Sequence, residues 1–358
     1  MASHHIALVG FYGHGNFGDD YYAVLLGLAL RGAGHSVSIF RLSEAYAKPL
    51  GFQTACTPEQ LLDGADVLLW GGGGLLVPWR DLTYRVMFPG VAAEFDRVVT
   101  LATRKGVRLA ACSVGGDGSC PPRLAPAYKE NFARSASFMT VRNPQDLAVL
   151  KRLGVPGAAF PDLMWLAGNH LALADRAAGG MRIGFDIYLS TVLRHAAPSL
   201  LAALEEVTNR RPDCQFFFID STNAGRKPYR GLGRLIRGSN ARSYQFSDPE
   251  SDLRFLASLD LLVSSRLHAP MVALQFGVPV ISFLAEKKTS LLFSNLGLDC
   301  LSFGRDRIPE LSRLLSSQPS LDRFLRDFRF PDIASLRAAA GGHLRFLREQ
   351  LGSTEPRT

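Results

Sequence analysis

Short apolar runs that break into a glycine-rich or polar turn, and then into a helically spaced segment, recur through both halves of this 358-residue chain. Runs at 6–11, 36–40, 66–70, 108–114 and 136–141, and again at 181–188, 215–220, 259–263 and 278–283, have the length and composition of buried strands. Between them, residues 21–31, 200–207, 249–258 and 271–276 carry the composition and spacing of helices. Alternating strands and helices imply parallel sheets covered on both faces, and the chain is too long for one ordinary core. The expectation is α/β: two doubly wound Rossmann-type domains facing across a cleft, residues 1–165 and 180–332, followed by a C-terminal helix and tail over 333–358. The connection lies in 161–180, and the last helix, 333–351, is expected to pack back across the boundary.

Ligands of such sheets bind where the strands end, so the turns hold the candidate chemistry. In LDLLVSSRLHAPMVALQFGVPVIS (259–282), Ser264, Ser265, Arg266, Leu267 and His268 separate a strand from a helix, with Pro270 near its first turn and Gly277 past its end. Free N–H groups at a helix start favour an anion, and Arg266 and His268 add two side-chain donors there. The competing reading is an arginine capping a neighbouring helix beside a half-buried, satisfied histidine. Arg142 follows its strand in the same way, against an alternative role in a surface salt bridge.

The first strand runs into Gly13-His14-Gly15-Asn16-Phe17-Gly18, formally a dinucleotide fingerprint. Asp19 and Asp20 follow where a pyrophosphate would sit, and the next strand ends at Arg41 in place of an acid for a ribose, which argues against NAD. Asp19 is a fitting N-cap, and one of the pair suffices for that, leaving the other to face the loop. Gly71 to Gly74 and Ser113-Val114-Gly115-Gly116 end two further strands. Each could be a tight turn alone; three glycine-rich strand ends together suit the floor of a substrate site.

Composition narrows the class. Apolar residues at 47% and charged residues at 20% describe a globular chain, and the initial apolar run is too short for a signal peptide. With no run near the ~18 residues of a spanning helix, a cytoplasmic protein is expected. Five scattered cysteines without a CxxC pair argue against disulfides and zinc, and no metal ligands are assigned. The net charge of +8 is concentrated in Arg226, Lys227, Arg230, Arg234, Arg237 and Arg242, with no acid among them. Only Tyr229 and Tyr244 accompany them, too few aromatics for a single-strand nucleic-acid binder. The readings left are a solvated basic face, or a surface for anionic phospholipid or a phosphate-bearing substrate.

GFYGHGNFGDD, LLWGGGGLL, LAACSVGG, FMTVRNPQDLAVLKRLGV followed by Pro161-Asp162, and SSRLHAPMVALQFGVPVIS resemble, in order, the motifs of the polysaccharide pyruvyl transferases. The resemblance implies a GT-B-like fold and a transferase that moves the pyruvyl group of phosphoenolpyruvate, as a ketal, onto a sugar of a cell-surface polysaccharide or its precursor. It places catalytic roles on His268 and Asp19 and substrate binding on Arg142 and Arg266; Leu267, Asn16, Gly72, Gly73, Ser113 and Lys288 are further candidates for substrate binding. It implies no cofactor beyond phosphoenolpyruvate as co-substrate; a sugar or lipid-linked oligosaccharide is the acceptor, and a peripheral contact with an anionic inner membrane face is expected. The chain departs from the family's habit at Asn143 and Asp146, where an acid and a serine are common, and at Phe185, Asp186 and Tyr188, where an arginine is frequent.

The chemistry agrees with these residue types. Two arginines and a helix start can satisfy a phosphate and a carboxylate, histidine can move a proton near neutrality, and a carboxylate can accept one from a hydroxyl. Two alternatives stay open at this point: a GT-B glycosyltransferase using a nucleotide sugar, and a non-catalytic glycan-binding protein.

Overall fold

The computed structural model describes residues 3–77, 90–171, 180–187, 197–220, 240–285 and 287–352. The chain divides into two compact units, the first made of Met1–Gly13, Asp19–Leu166 and Ala334–Thr358, the second of His14–Gly18 and Ala167–Ile333. The C-terminal residues therefore group with the first unit, and five residues of the first glycine-rich loop group with the second.

In the first unit, β1 (His5–Val9), β2 (Ser36–Phe40), β3 (Gln53–Ala55), β4 (Val67–Gly71), β5 (Arg108–Val114), β6 (Phe138–Val141) and β7 (Gly157–Ala159) form a parallel sheet ordered β3-β2-β1-β4-β5-β6-β7. Val67–Gly71 is buried along its whole length, as expected of a central strand covered on both faces. The chain leaves β1 in one direction and returns at β4 in the other, so β1 and β4 flank the topological switch point where ligands of such sheets bind. Both the loop after β1 and the four-glycine loop after β4 leave the sheet there. Below them Trp70 packs against Phe95, Tyr128 and Phe132 with ring centroids 5.0, 5.9 and 5.4 Å away.

The second unit repeats the plan with β8 (Met181–Asp186), β9 (Cys214–Asp220), β10 (Ala241–Gln245), β11 (Leu261–Ser264), β12 (Val280–Phe283) and β13 (Ser302–Phe303), ordered β10-β9-β8-β11-β12-β13 and all parallel. Here β8 and β11 flank the switch point, and their last residues, Asp186 and Ser264, are paired in register. Phe185 stacks on Phe218 at 5.3 Å in a core completed by Ile183, Val263 and Ile281.

Three local expectations change. The first helix starts at Phe17, and Asn16 caps it by accepting the Gly18 N–H at 3.3 Å, so Asp19 and Asp20 lie inside the first turn, where the helix dipole favours carboxylates. The second-unit helix starts at His268 itself and runs to Gln275. The single last helix is two, Ile333–Ala340 and Gly342–Gly352, interrupted at a glycine pair, the residue type that least favours a helix interior after proline; Gly342 lies flush on the Phe160 ring, where a Cβ would collide. The basic residues 226–239 lie outside the described residues; Arg242 is on β10.

Candidate functional site

In the second unit the turn from β11 into the helix His268–Gln275 is fixed from beneath. Ser264 Oγ accepts the Arg266 N–H at 2.9 Å and donates to Asp186 Oδ2 at 3.3 Å, while the Ser265 N–H donates to the Asp186 carbonyl at 3.0 Å. Asp186 is buried, so a carboxylate at the end of β8 sets the backbone that presents Arg266, Leu267 and His268. Leu267 is buried at the position before the helix, and His268 is the first helical residue. Gly18 lies directly against the His268 imidazole, where any Cβ would collide with the ring, and Phe17 stacks on Phe246 at 4.5 Å. Only glycine at 18 allows the loop 14–18 to approach the histidine this closely. Gln275, at the far end of the helix, holds the Gly168 N–H at 2.9 Å. Lys288 is partly exposed on the second residue of the helix Lys287–Asn295.

In the first unit the two carboxylates after the loop divide their work. Asp20 is buried and accepts the Gly13 N–H at 2.6 Å, closing the loop. Asp19 is partly exposed and faces the four-glycine loop: a Cβ on Gly73 would stand 3.5 Å from Asp19 Oδ1 and 3.1 Å from Phe11. Gly72 and Gly73 have φ of 65° and 70°, and a side chain at 72 would run into the Tyr22 ring, so these glycines answer to backbone conformation and close packing. The loop is pinned by Gly72 N–H to Cys112 O at 2.9 Å and Gly115 N–H to Gly73 O at 3.0 Å.

Arg142 and Ser113 lie in the interior of the first unit. Arg142, expected to grip a donor anion, is 6% exposed and ion-paired with Asp162 at 3.2 Å, and a side chain at Gly115 would strike its guanidinium. Asp162 also takes a hydrogen bond from the Tyr22 hydroxyl and the Met164 N–H at 2.9 Å. Ser113, expected to contact substrate, is fully buried with φ of 54°; its hydroxyl accepts the Leu163 N–H at 3.0 Å and pairs with Tyr22 at 3.1 Å. Its N–H donates to Thr140 Oγ1 at 2.9 Å. Both residues therefore belong to an internal network because low-dielectric surroundings demand that every buried polar group find a partner. Burial, followed by the Asp162 carboxylate, raises the Tyr22 hydroxyl pKa well above the ordinary phenol value, so it stays a donor. Sequence reading does not show the roles of Tyr22, Asp146, Lys129 and Asp186, because most of their partners lie far away in the chain.

Two parallel, doubly wound sheets with their candidate residues at the switch points define a GT-B-like fold. The chain is similar to the S. aureus MnaA–UDP structure (TM-score 0.69, 10% identity, covering 100% of this chain and 99% of that one). Also similar are UDP-GlcNAc 2-epimerase from Neisseria meningitidis bound to UDP-GlcNAc (TM-score 0.59, 12% identity, 98% and 100%) and the spinosyn rhamnosyltransferase SpnG (TM-score 0.55, 14% identity, 98% and 100%). Such low identities establish the fold alone. The sequence is more specific: the profile of the polysaccharide pyruvyl transferase family matches residues 16–285, more than half of the chain, and the chain belongs to that family. No curated protein sequence matches. Among the described residues, no helix is long and apolar enough to cross a membrane.

Proposed function

We propose that this transferase moves the pyruvyl group of phosphoenolpyruvate onto two hydroxyls of a sugar, in a cell-surface polysaccharide or its precursor, with release of phosphate. The observation that carries this reading is the turn at residues 264–268, where an arginine and a histidine two residues apart stand at a helix start beside the switch point of the second sheet. Arg266 and the helix N–H groups take the donor's anionic oxygens by charge-assisted hydrogen bonds. His268 delivers a proton to the methylene carbon, and positive charge develops on the central carbon. One sugar hydroxyl attacks that carbon and gives up its proton, the bond from the central carbon to the phosphate oxygen breaks, and a second hydroxyl closes the ketal as its proton passes to the departing phosphate. Asp19 accepts the hydroxyl proton; Asp20, already holding the Gly13 N–H, is the poorer base.

The test is phosphate release from phosphoenolpyruvate across a panel of glycosides, with wild type and Asp19→Asn, which preserves shape. Turnover in wild type and a loss of ~10²-fold or more in Asp19→Asn is expected; near-normal turnover in the variant removes Asp19 from the role. Release of UDP from a nucleotide sugar, with no phosphate from phosphoenolpyruvate, moves the reading to a glycosyltransferase.

A further inference from the structure

Two glycine-rich loops are joined to one another, the first of them next to Asp19, and each is held by a buried ionisable side chain that the reaction above does not use. Lys129, on the helix Ala127–Ser135, is 0% exposed, yet its Nζ donates to Gly74 O at 3.0 Å and Val77 O at 3.1 Å, and it stands 6.0 Å from the Phe11 ring centroid. Asp146, also 0% exposed, accepts the Gly116 N–H at 2.7 Å, the Gly118 N–H at 3.3 Å and Asn143 Nδ2 at 3.1 Å. The cation gathers carbonyls of one loop and the acidic side chain gathers amides of the other. Between them the loops are stitched directly, Gly115 N–H to Gly73 O at 3.0 Å and Leu76 N–H to Gly115 O at 3.1 Å. Gly116 is pressed so close to Asp146 that a Cβ would collide with its carboxyl group.

Taking an ammonium out of water is unfavourable, and a hydrophobic side chain in that position would fill the same core without the desolvation. What the lysine supplies that a hydrophobe cannot is direction: it orients two carbonyls of a loop whose glycines have no side chains to steady them. A displacement of Gly73 also displaces the backbone against which Asp19 rests.

We infer that Lys129 and Asp146 are positioning residues for the acceptor, a pair of buried clamps that set the shape of the joined loops 71–77 and 115–118. This rests on the proposed pyruvyl transfer. Lys129→Met keeps the aliphatic length without the donor, and Asp146→Asn keeps the shape with one acceptor oxygen. Each is compared with wild type by hydrogen exchange of the loop amides, with β5 as internal control, and by steady-state kinetics with both substrates varied. Exchange in both loops should rise about tenfold or more. The acceptor kcat/KM should fall by about 10- to 100-fold, as expected of a misplaced binding surface, while the phosphoenolpyruvate KM stays within about twofold. If Lys129→Met fails to fold, Asp146→Asn carries the test. Unchanged loop exchange overturns the clamp, and a rise in both KM values together overturns the assignment to the acceptor. A wild-type enzyme that releases no phosphate with any acceptor overturns the acceptor role through the functional reading, with the exchange result still deciding the clamp.

Discussion

Lowering the pH from 7.5 to 5 should destabilise the first unit through one histidine. His343, on the helix Gly342–Gly352, is fully buried, with Nε2 3.0 Å from Pro161 O and Nδ1 2.7 Å from Thr140 Oγ1. A carbonyl only accepts, so Nε2 carries the proton; Thr140 Oγ1 already accepts the Ser113 N–H and has its own proton for Nδ1. The geometry suits neutral imidazole, and burial pushes the pKa down from 6.5 to about 4. Because the folded pKa lies below the unfolded one, the unfolded chain binds more protons in this window. Stability is therefore complete above about pH 7 and declines as the pH falls from 6.5 toward 4. Linkage gives a loss of about 2 kcal/mol by pH 5 and roughly 3 kcal/mol at the limit.

Trp70 and Trp165 are both buried in the first unit, so their fluorescence during urea unfolding reports on it. With m of roughly 2 kcal/mol/M, the His343 contribution shifts the midpoint by about 1 M between pH 7.5 and 5. His35 and His170 also have lowered pKa values, so the quantity to measure is the difference between wild type and His343→Gln. Gln can donate to Pro161 O and accept from Thr140 but cannot titrate. Wild type should lose about 1 M more than the variant on acidification, and parallel losses would refute the buried neutral histidine.

His268→Ala should cut turnover by ~10²- to 10⁴-fold with a much smaller change in donor binding; His268→Gln should be similarly slow, and Gln activity near wild type would leave the histidine an orienting role only. Arg266→Lys should weaken phosphoenolpyruvate binding measured by calorimetry, because an ammonium cannot reproduce the planar fork; equal affinity in Arg266→Lys and Arg266→Ala variants would remove the donor contact. Asp162→Asn leaves Arg142 buried without its carboxylate and should cost about 3–5 kcal/mol in urea unfolding; a cost under about 1 kcal/mol would mean the pair is not desolvated. The basic stretch 226–242 should carry binding to anionic vesicles that weakens with salt; equal partition of a charge-neutralised variant would leave only a solvated face.

What could be read from sequence divides along physical lines. Val67–Gly71 and Arg108–Val114 are buried central strands, and continuous apolar runs announce them. Gln53–Ala55, Gly157–Ala159 and Ser302–Phe303 are sheet edges two or three residues long, too short to display a period, and they pass unnoticed. The turn at 264–268 is legible because its chemistry is local, an arginine and a histidine between a strand and a helix. Arg142 is legible as a residue after a strand but not as half of a buried pair, since Asp162 reaches it only through the fold. Lys129 reads as an ordinary helical lysine until the core around it is known. Asn16 is a good capping residue by type, but the two aspartates that follow it are equally good ones, so the helix start is ambiguous in the sequence.

In the proposed reaction the pyruvyl carbons leave phosphoenolpyruvate and become a ketal on a sugar. The direct measurement is to incubate the protein with isotopically labelled phosphoenolpyruvate and a glycoside panel, and to follow the labelled central carbon by NMR while free phosphate is counted. A new ketal resonance on the glycoside is expected, with one phosphate released for each ketal formed and loss of both signals in Arg266→Ala. Phosphate release with the label appearing as free pyruvate, or label that never leaves phosphoenolpyruvate with any glycoside tested, would contradict it.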